Sequence, residues 1–164
     1  MRTLKILYKY LFRYDGEKLN RNAGQLSQLM NMEEQTEMMC NSWKAEFDIT
    51  DFSMPLTKKN IQRRIISSAH LYKLIQFCKN NDWKPIFIIM PMSQCLSDKF
   101  STTFRETYIQ SFISPFIKQY NIPCIDYSTN SLFLDNNLYS TPLFLNERGA
   151  KIFTQQVIDD TKNL

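Results

Sequence analysis

The sequence predicts an α/β domain, a three-layer open parallel sheet with flanking helices, and three observations carry that prediction. The run Pro85 to Met90 (PIFIIM) is continuously apolar and bounded by prolines, as in a strand buried on both faces of a parallel sheet. A second short apolar run, Ile122 to Asp126, has the same character. Stretches with helical spacing at 57–81, 98–120 and 146–162 alternate with these runs. The resulting order of helix, strand, helix, strand, helix belongs to one side of an open α/β sheet.

Each element has a local reason. Residues 3–13 are basic and apolar, with Lys5, Lys9 and Arg13 at four-residue intervals, which predicts an amphipathic helix docking on the domain rather than a membrane-surface anchor. Asp15-Gly16 and Asn20 to Gly24 mark a loop. Residues 25–40 predict a weakly amphipathic helix, and 44–57, with Asp48, Asp51 and Pro55, an irregular connection. The clearest helix is 57–81. Thr57 is placed to cap it, Ile61, Ile65, Ala69 and Tyr72 fall on one stripe, and Ile66, Leu74 and Phe77 add a second, so more than one side is expected to be covered. Asn80-Asn81-Asp82 ends it. In the next helix Ser97 is the expected cap, and Pro115 bends or splits it. Residues 127–144 are loop. The closing helix starts from Asn146 as N-cap, with Glu147 in the first turn and Ala150, Phe153 and Val157 as its buried stripe. The expected division is an N-terminal helical or irregular segment, 1–57, and an α/β unit, 58–164.

Composition narrows the function. The chain has 164 residues, 43 % hydrophobic and 22 % charged, enough for one domain with a real core. The net charge of +4 is spread out; its densest group, Lys58, Lys59, Arg63 and Arg64, reads as a solvated helix face rather than a nucleic-acid patch. Cys40, Cys78, Cys95 and Cys124 show neither CxxC nor zinc spacing, and no disulfide framework is expected. No run approaches the roughly 20 apolar residues of a membrane span, and the N-terminus lacks the uninterrupted apolar core of a signal peptide, so the expected compartment is the cytoplasm. Only three glycines occur, against about eleven at average usage. With no GxGxxG, GxxxxGK[ST] or GxSxG, nucleotide loops and the hydrolase elbow are disfavoured, and no cofactor or metal is expected.

In open α/β sheets, ligands sit at the carboxyl ends of the strands. Here those ends are Met90-Pro91-Met92-Ser93-Gln94 and Asp126-Tyr127-Ser128, and the loop around Thr141 to Phe144 is expected to return over the same edge. The candidate crevice is therefore Ser93, Gln94, Asp126, Tyr127 and Asn146. Ser93 reads as a loop or capping serine, for want of a base. Cys95 has no histidine or basic residue nearby in sequence to activate it. Asp126 and Asp135 read as turn residues rather than an acid–base pair. Tyr127 and Tyr139 suit a core or a crevice wall. His70, the only histidine, falls mid-helix and reads as a packing residue.

In order and spacing, these segments resemble the C-terminal half of an SGNH (GDSL-type) hydrolase, whose fold is flavodoxin-like. The pieces are FCKNNDWKPIFIIMPMS (Phe77 to Ser93), a long helix, YNIPCIDYS (Tyr120 to Ser128), a loop and LNERGAKIFT (Leu145 to Thr154). They are most similar to bacterial members related to the lipoteichoic-acid D-alanylation protein and to enzymes that modify surface polysaccharide with acyl groups. The likeness covers about residues 58–160. In that family a histidine just before the Leu-Asn pair is the base and an aspartate three residues earlier orients it, serving a serine nucleophile at the end of the first strand. The resemblance places the base on Phe144 and the acid on Thr141, neither of which can fill the role, and the nucleophile segment has no counterpart in the chain, as though the domain were truncated on its N-terminal side.

The expected function is thus a degenerate, non-catalytic domain from a family that hydrolyses or transfers acyl (acetyl) esters on cell-surface carbohydrate, with no confident catalytic residue. It would act through a protein partner, through self-association by an exposed sheet edge, or through a carbohydrate ligand, with no role for nucleic acid. One alternative is a subunit or fragment of an active esterase or acyltransferase whose nucleophile half lies elsewhere. The other is an unrelated α/β interaction protein. The resembling families often act outside the membrane, against the cytoplasmic expectation.

Overall fold

The computed structural model describes residues 30–162 and Leu164; the expectations for 3–13, 14–24 and the start of 25–40 lie outside the described residues. Helix α1 spans Met32–Phe47 and opens on a capping box, in which the Asn31 side chain accepts from the Glu34 amide and Glu34 reaches back to the Asn31 amide. Asp48 ends it in the left-handed region at φ 58°, a conformation the short polar Asx side chain tolerates. Helix α2 spans Lys58–Asn80 with Thr57 as its cap. Strand β1 is Phe87–Ile89, and the four-residue helix α3, Gln94–Ser97, follows it. Helix α4, Thr102–Phe104, is capped by Ser101 rather than Ser97 and runs into a π-helical stretch, Arg105–Gln110, then into α5, Ser111–Tyr120. Pro115 lies inside α5 without splitting it. Strand β2 is Cys124–Asp126, two 3-10 turns cover Ser131–Phe133 and Asn136–Leu138, and α6 is Glu147–Thr161.

The predicted three-layer open sheet is overturned. The described chain is mostly helical, and its sheet has two strands, β1 and β2, paired in parallel with Phe87 opposite Cys124 and Ile89 opposite Asp126. Proline is the local reason. Pro85, Pro91 and Pro123 have no amide to donate, so each apolar run yields only three ladder residues; Phe87 N donates to Pro123 O (2.9 Å) and Tyr127 N to Ile89 O (3.0 Å) at the ends. The remaining apolar residues are spaced for helices and bury themselves in helix–helix and helix–loop packing.

Three apolar clusters result. Cys40, Ile49 and Phe52 pack with Met92, Leu96, Phe100 and Phe104, so residues on either side of position 57 share one core. Its rings are ordered, with Phe100 stacked on Phe104 (4.5 Å) and Phe52 edge-on to both. The second cluster is Tyr127, Phe133, Leu138, Tyr139 and Phe153, against Ile88 and Ile125. The third is Ile75, Phe116 and Ile122, against Phe87 and Leu71. Phe87 and Ile88 thus point into different clusters, as strand alternation requires.

Helix α2 is rotated from the face its sequence predicts, whereas α6 turns the predicted Phe153 and Val157 inward and differs only at Ala150. In α2 the buried residues are Asn60 and Ile75, while Ile61, Ile65 (58 % exposed), Ile66 and Tyr72 face outward. In α6, Gly149 and Phe153 are buried and Ala150 is exposed. Gly149 has a steric reason for its place: a Cβ there would lie 2.2 Å from the Leu138 carbonyl oxygen and 2.9 Å from Leu145 Cδ2. Replacing Gly149 with alanine is expected to destabilise the fold by about 1–3 kcal/mol, read as a lower urea midpoint at unchanged slope, with Ala150→Gly, at an exposed position, costing less than Gly149→Ala.

Candidate functional site

The strand ends and the 141–144 loop do meet. Ser93 N donates to Pro142 O at 3.0 Å, which lays the loop beside the exit of β1. The functional groups there are already engaged. Ser93 is wholly buried, and its hydroxyl accepts from the Leu96 amide (3.4 Å) as the cap of α3. Gln94 reaches along its own helix to the Asp98 carboxylate. Asp126 is exposed and accepts from the Ser128 amide (2.8 Å), an Asx turn. Asn146 caps α6 through Gly149 N (3.0 Å), and its amide donates to Asn137 O (2.8 Å).

Thr141 and Phe144, the positions on which the sequence resemblance places an acid and a base, form a tight turn. Thr141 is buried, and its hydroxyl accepts from the Phe144 amide (3.2 Å). The Phe144 carbonyl accepts from Ser140 N (2.8 Å) and Ser140 Oγ (3.1 Å), while its ring stands 49 % exposed. An uncharged ring at the surface can neither take a proton nor orient one. His70 is exposed along α2 and hydrogen-bonds to none of these groups.

The tyrosines are core residues. Tyr127 is 1 % exposed, stands edge-on to Phe133 and Phe153, and donates its hydroxyl to Asp160 Oδ2 at 2.6 Å. Burial first, and the Asp160 carboxylate second, push its pKa up to about 12; the same bond, together with Gln156, holds the Asp160 carboxyl below its usual range. Tyr139 donates to Phe133 O (2.7 Å), and burial pushes its phenol up as well. Cys95, half-buried, accepts through its sulfur from Asn136 Nδ2 (3.0 Å), and Asp135 caps the turn after it through Asn137 N (2.9 Å). All four cysteines are free thiols, and among the described residues no three histidine, cysteine, aspartate or glutamate side chains gather to hold a metal ion. No described helix is long and apolar enough to cross a membrane.

Sequence reasoning missed two features of this edge. It did not place Asp160, 33 positions from Tyr127, as that residue's partner; the signal available was the i, i+4 pair of Gln156 and Asp160 on α6. Nor did it place the Thr141 hydroxyl as the acceptor for the Phe144 amide.

No family model, curated protein or solved structure matches the chain.

Tyr127 gives a pH prediction. Below about pH 10, the ordinary tyrosine pKa, the phenol is neutral in folded and unfolded chains and its contribution to stability is whole. Between about 10 and about 12 the unfolded chain ionises first, so that contribution is lost as pH rises. Melting temperatures measured from pH 8 to 12 are expected to fall over that window, and to fall less steeply in Tyr127→Phe. A slope unchanged by the substitution would show that ionisation of Tyr127 does not control it.

Proposed function

We propose that this chain acts by binding rather than by catalysis, as a degenerate counterpart of the SGNH-type hydrolases that work on acyl esters of surface carbohydrate. One observation supports the reading above the rest: the position from which such enzymes draw their base is an exposed phenyl ring, Phe144, in a turn whose other polar groups bond one another. Ser93, the hydroxyl best placed by sequence, is buried as a helix cap and has no base beside it. Acyl transfer needs a nucleophile, a base within hydrogen-bond reach and donors for the oxyanion; this edge supplies at most the last. The purified chain is expected to hydrolyse p-nitrophenyl acetate no faster than a Ser93→Ala variant. Turnover that disappears in that variant would sink the reading.

A second reading, a partner module or enzyme subunit that works through its sheet edge, is favoured by the openness of the sheet. Parallel sheets ordinarily have both faces covered and several strands, whereas among the described residues β1 and β2 each lack a neighbour on their outer side. An unpaired edge recruits strands. Sedimentation velocity across a hundredfold range of protein concentration is expected to reveal a concentration-dependent dimer; a monomer throughout would count against self-association by this route.

A further inference from the structure

Helix α2 turns an apolar face to solvent. Leu71 and Ile75 pack inward, in the cluster that holds Phe116 and Phe87. Ile61, Ile65, Ala69 and Tyr72 recur at four- and three-residue intervals along a different side of the helix, and all are exposed, Ile61 by 48 % and Ile65 by 58 %. Ile66 and Phe77, about three turns apart, form the adjacent row, and Phe77 stands edge-on to the exposed Trp83 just past the helix. Gln62, His70 and Lys73, beside these rows, are exposed as well, so the face is a ridge and not a groove. A contiguous apolar patch rimmed by polar residues marks an interaction site.

The charge on the helix says what covers it. Residues 58–80 contain Lys58, Lys59, Arg63, Arg64, Lys73 and Lys79, and no aspartate or glutamate. Arg64 is held inward by Thr107 O, Tyr108 O and Ser111 Oγ. Lys58, Lys59, Lys73 and Lys79 are exposed. Among the described residues only Glu46 pairs with an α2 cation, at Arg63, in a solvent-exposed ion pair. Lys58 lies one turn before Ile61 and Lys79 two turns after Tyr72, in line with both, so the stripe is apolar in the middle and cationic at its ends. A second copy of α2, or the basic run 3–13, would set like charge against like. An anionic surface would meet opposite charge. Isoleucines at the centre, lysines at the ends and exposed Tyr72 and Trp83 are the composition suited to a bilayer interface.

We propose that the outer face of α2 is a docking surface for an anionic lipid bilayer, with the helix lying in the membrane plane. Ile61, Ile65, Ile66 and Tyr72 would enter the boundary between headgroups and acyl chains. The stems of Lys58, Lys73 and Lys79 would lie along them, and their ammonium groups would meet anionic headgroups. Phe87 points into the cluster of α2 and Ile88 into that of α6, so α6 sits on the opposite face of the sheet, away from the membrane. No strand-end residue belongs to this face, so its docking does not depend on whether that edge is catalytic.

The test is co-sedimentation of the full chain with vesicles of phosphatidylcholine alone or with about 30 % phosphatidylserine, the anionic lipid that attracts basic segments. Binding to the anionic vesicles is expected, at least about tenfold weaker on the neutral ones and weakening as salt is raised. The double variant Ile61→Ser, Ile65→Ser changes no charge and alters only exposed positions; it is expected to melt like the parent and bind at least about tenfold more weakly. Lys73→Gln is expected to weaken binding about fivefold, and Lys151→Gln, which removes an exposed cation from α6, to change it less. No binding to anionic vesicles at millimolar lipid, equal binding to both vesicles, or undiminished binding by the folded double-serine variant would each overturn the proposal. A chain that ignores the vesicles yet binds an acidic amphipathic peptide would overturn it too, and assign the face to a protein partner.

Discussion

The rest of the fold hangs on the closure of α6 against the 136–146 loop. Asn146 makes three bonds there: its amide N–H to Leu138 O (2.9 Å), its side-chain nitrogen to Asn137 O (2.8 Å), and its side-chain oxygen from Gly149 N (3.0 Å). Gly149 lets the helix backbone come down onto the Leu138 carbonyl, where any side chain would collide. With the start of α6 fixed, Phe153 lands between Tyr127 and Phe133, with ring centroids 5.2 and 5.4 Å away. Ile88 and Ile125 then have an apolar floor, and a sheet of only two strands gains the cover it lacks in width.

That closure also engages polar groups of the strand-end edge. A catalytic edge needs hydroxyls and carboxylates aimed at an open crevice. Here the loop is drawn in until Pro142 O accepts from Ser93 N and Thr141 bonds its own turn. Ser93, Asp126, Asp135 and Asn146 all satisfy backbone amides. Of the candidates in the sequence, Ser93 and Asp126 bond within their own turns, and Asn146 ties the loop to α6. Strand, loop and capped helix follow one another here, and the polar groups between them bond mainly to their own caps and turns.

The features legible in the sequence were the local ones. Thr57 and Asn146 are caps because a short polar side chain precedes a helical run, and that signal reaches only three residues. The core of β1 was visible as a proline-bounded apolar run and that of β2 as a second short apolar run. What failed was decided at long range. The sheet's width depended on what the other apolar residues packed against, and they chose helices. Helix α1 looked weak because polar residues, Gln35 and Thr36, lie on its buried side; Thr36 is satisfied by the Met32 carbonyl (2.8 Å) and Gln35 by that of Met30 (2.8 Å). On α6 the predicted stripe holds at Phe153 and Val157; only its first position differs, Gly149 rather than Ala150, because the Leu138 carbonyl that selects glycine comes from a different segment.

Helix α2 shows the same limit most sharply. Its isoleucines define two apolar stripes, and periodicity alone cannot say which of several faces turns inward. Two polar contacts decide it. Asn60 is drawn to the Phe47 carbonyl at the end of α1, and Arg64, one turn on, is drawn to the carbonyls of Thr107 and Tyr108. Both partners are backbone acceptors on other elements, and a buried backbone acceptor left empty is costly, whereas an exposed isoleucine forgoes burial without leaving any group unpaired. The helix therefore presents its polar face inward at this end and reverts to apolar contacts at Leu71 and Ile75 further along. Arg64 has Asn60, Ile61, Ser67 and Ser68 at its three- and four-residue neighbours and no acid among them, so nothing on its own helix neutralises it. Its guanidinium is held instead by the uncharged acceptors of the π-helical stretch and α5 and by the face of Phe112.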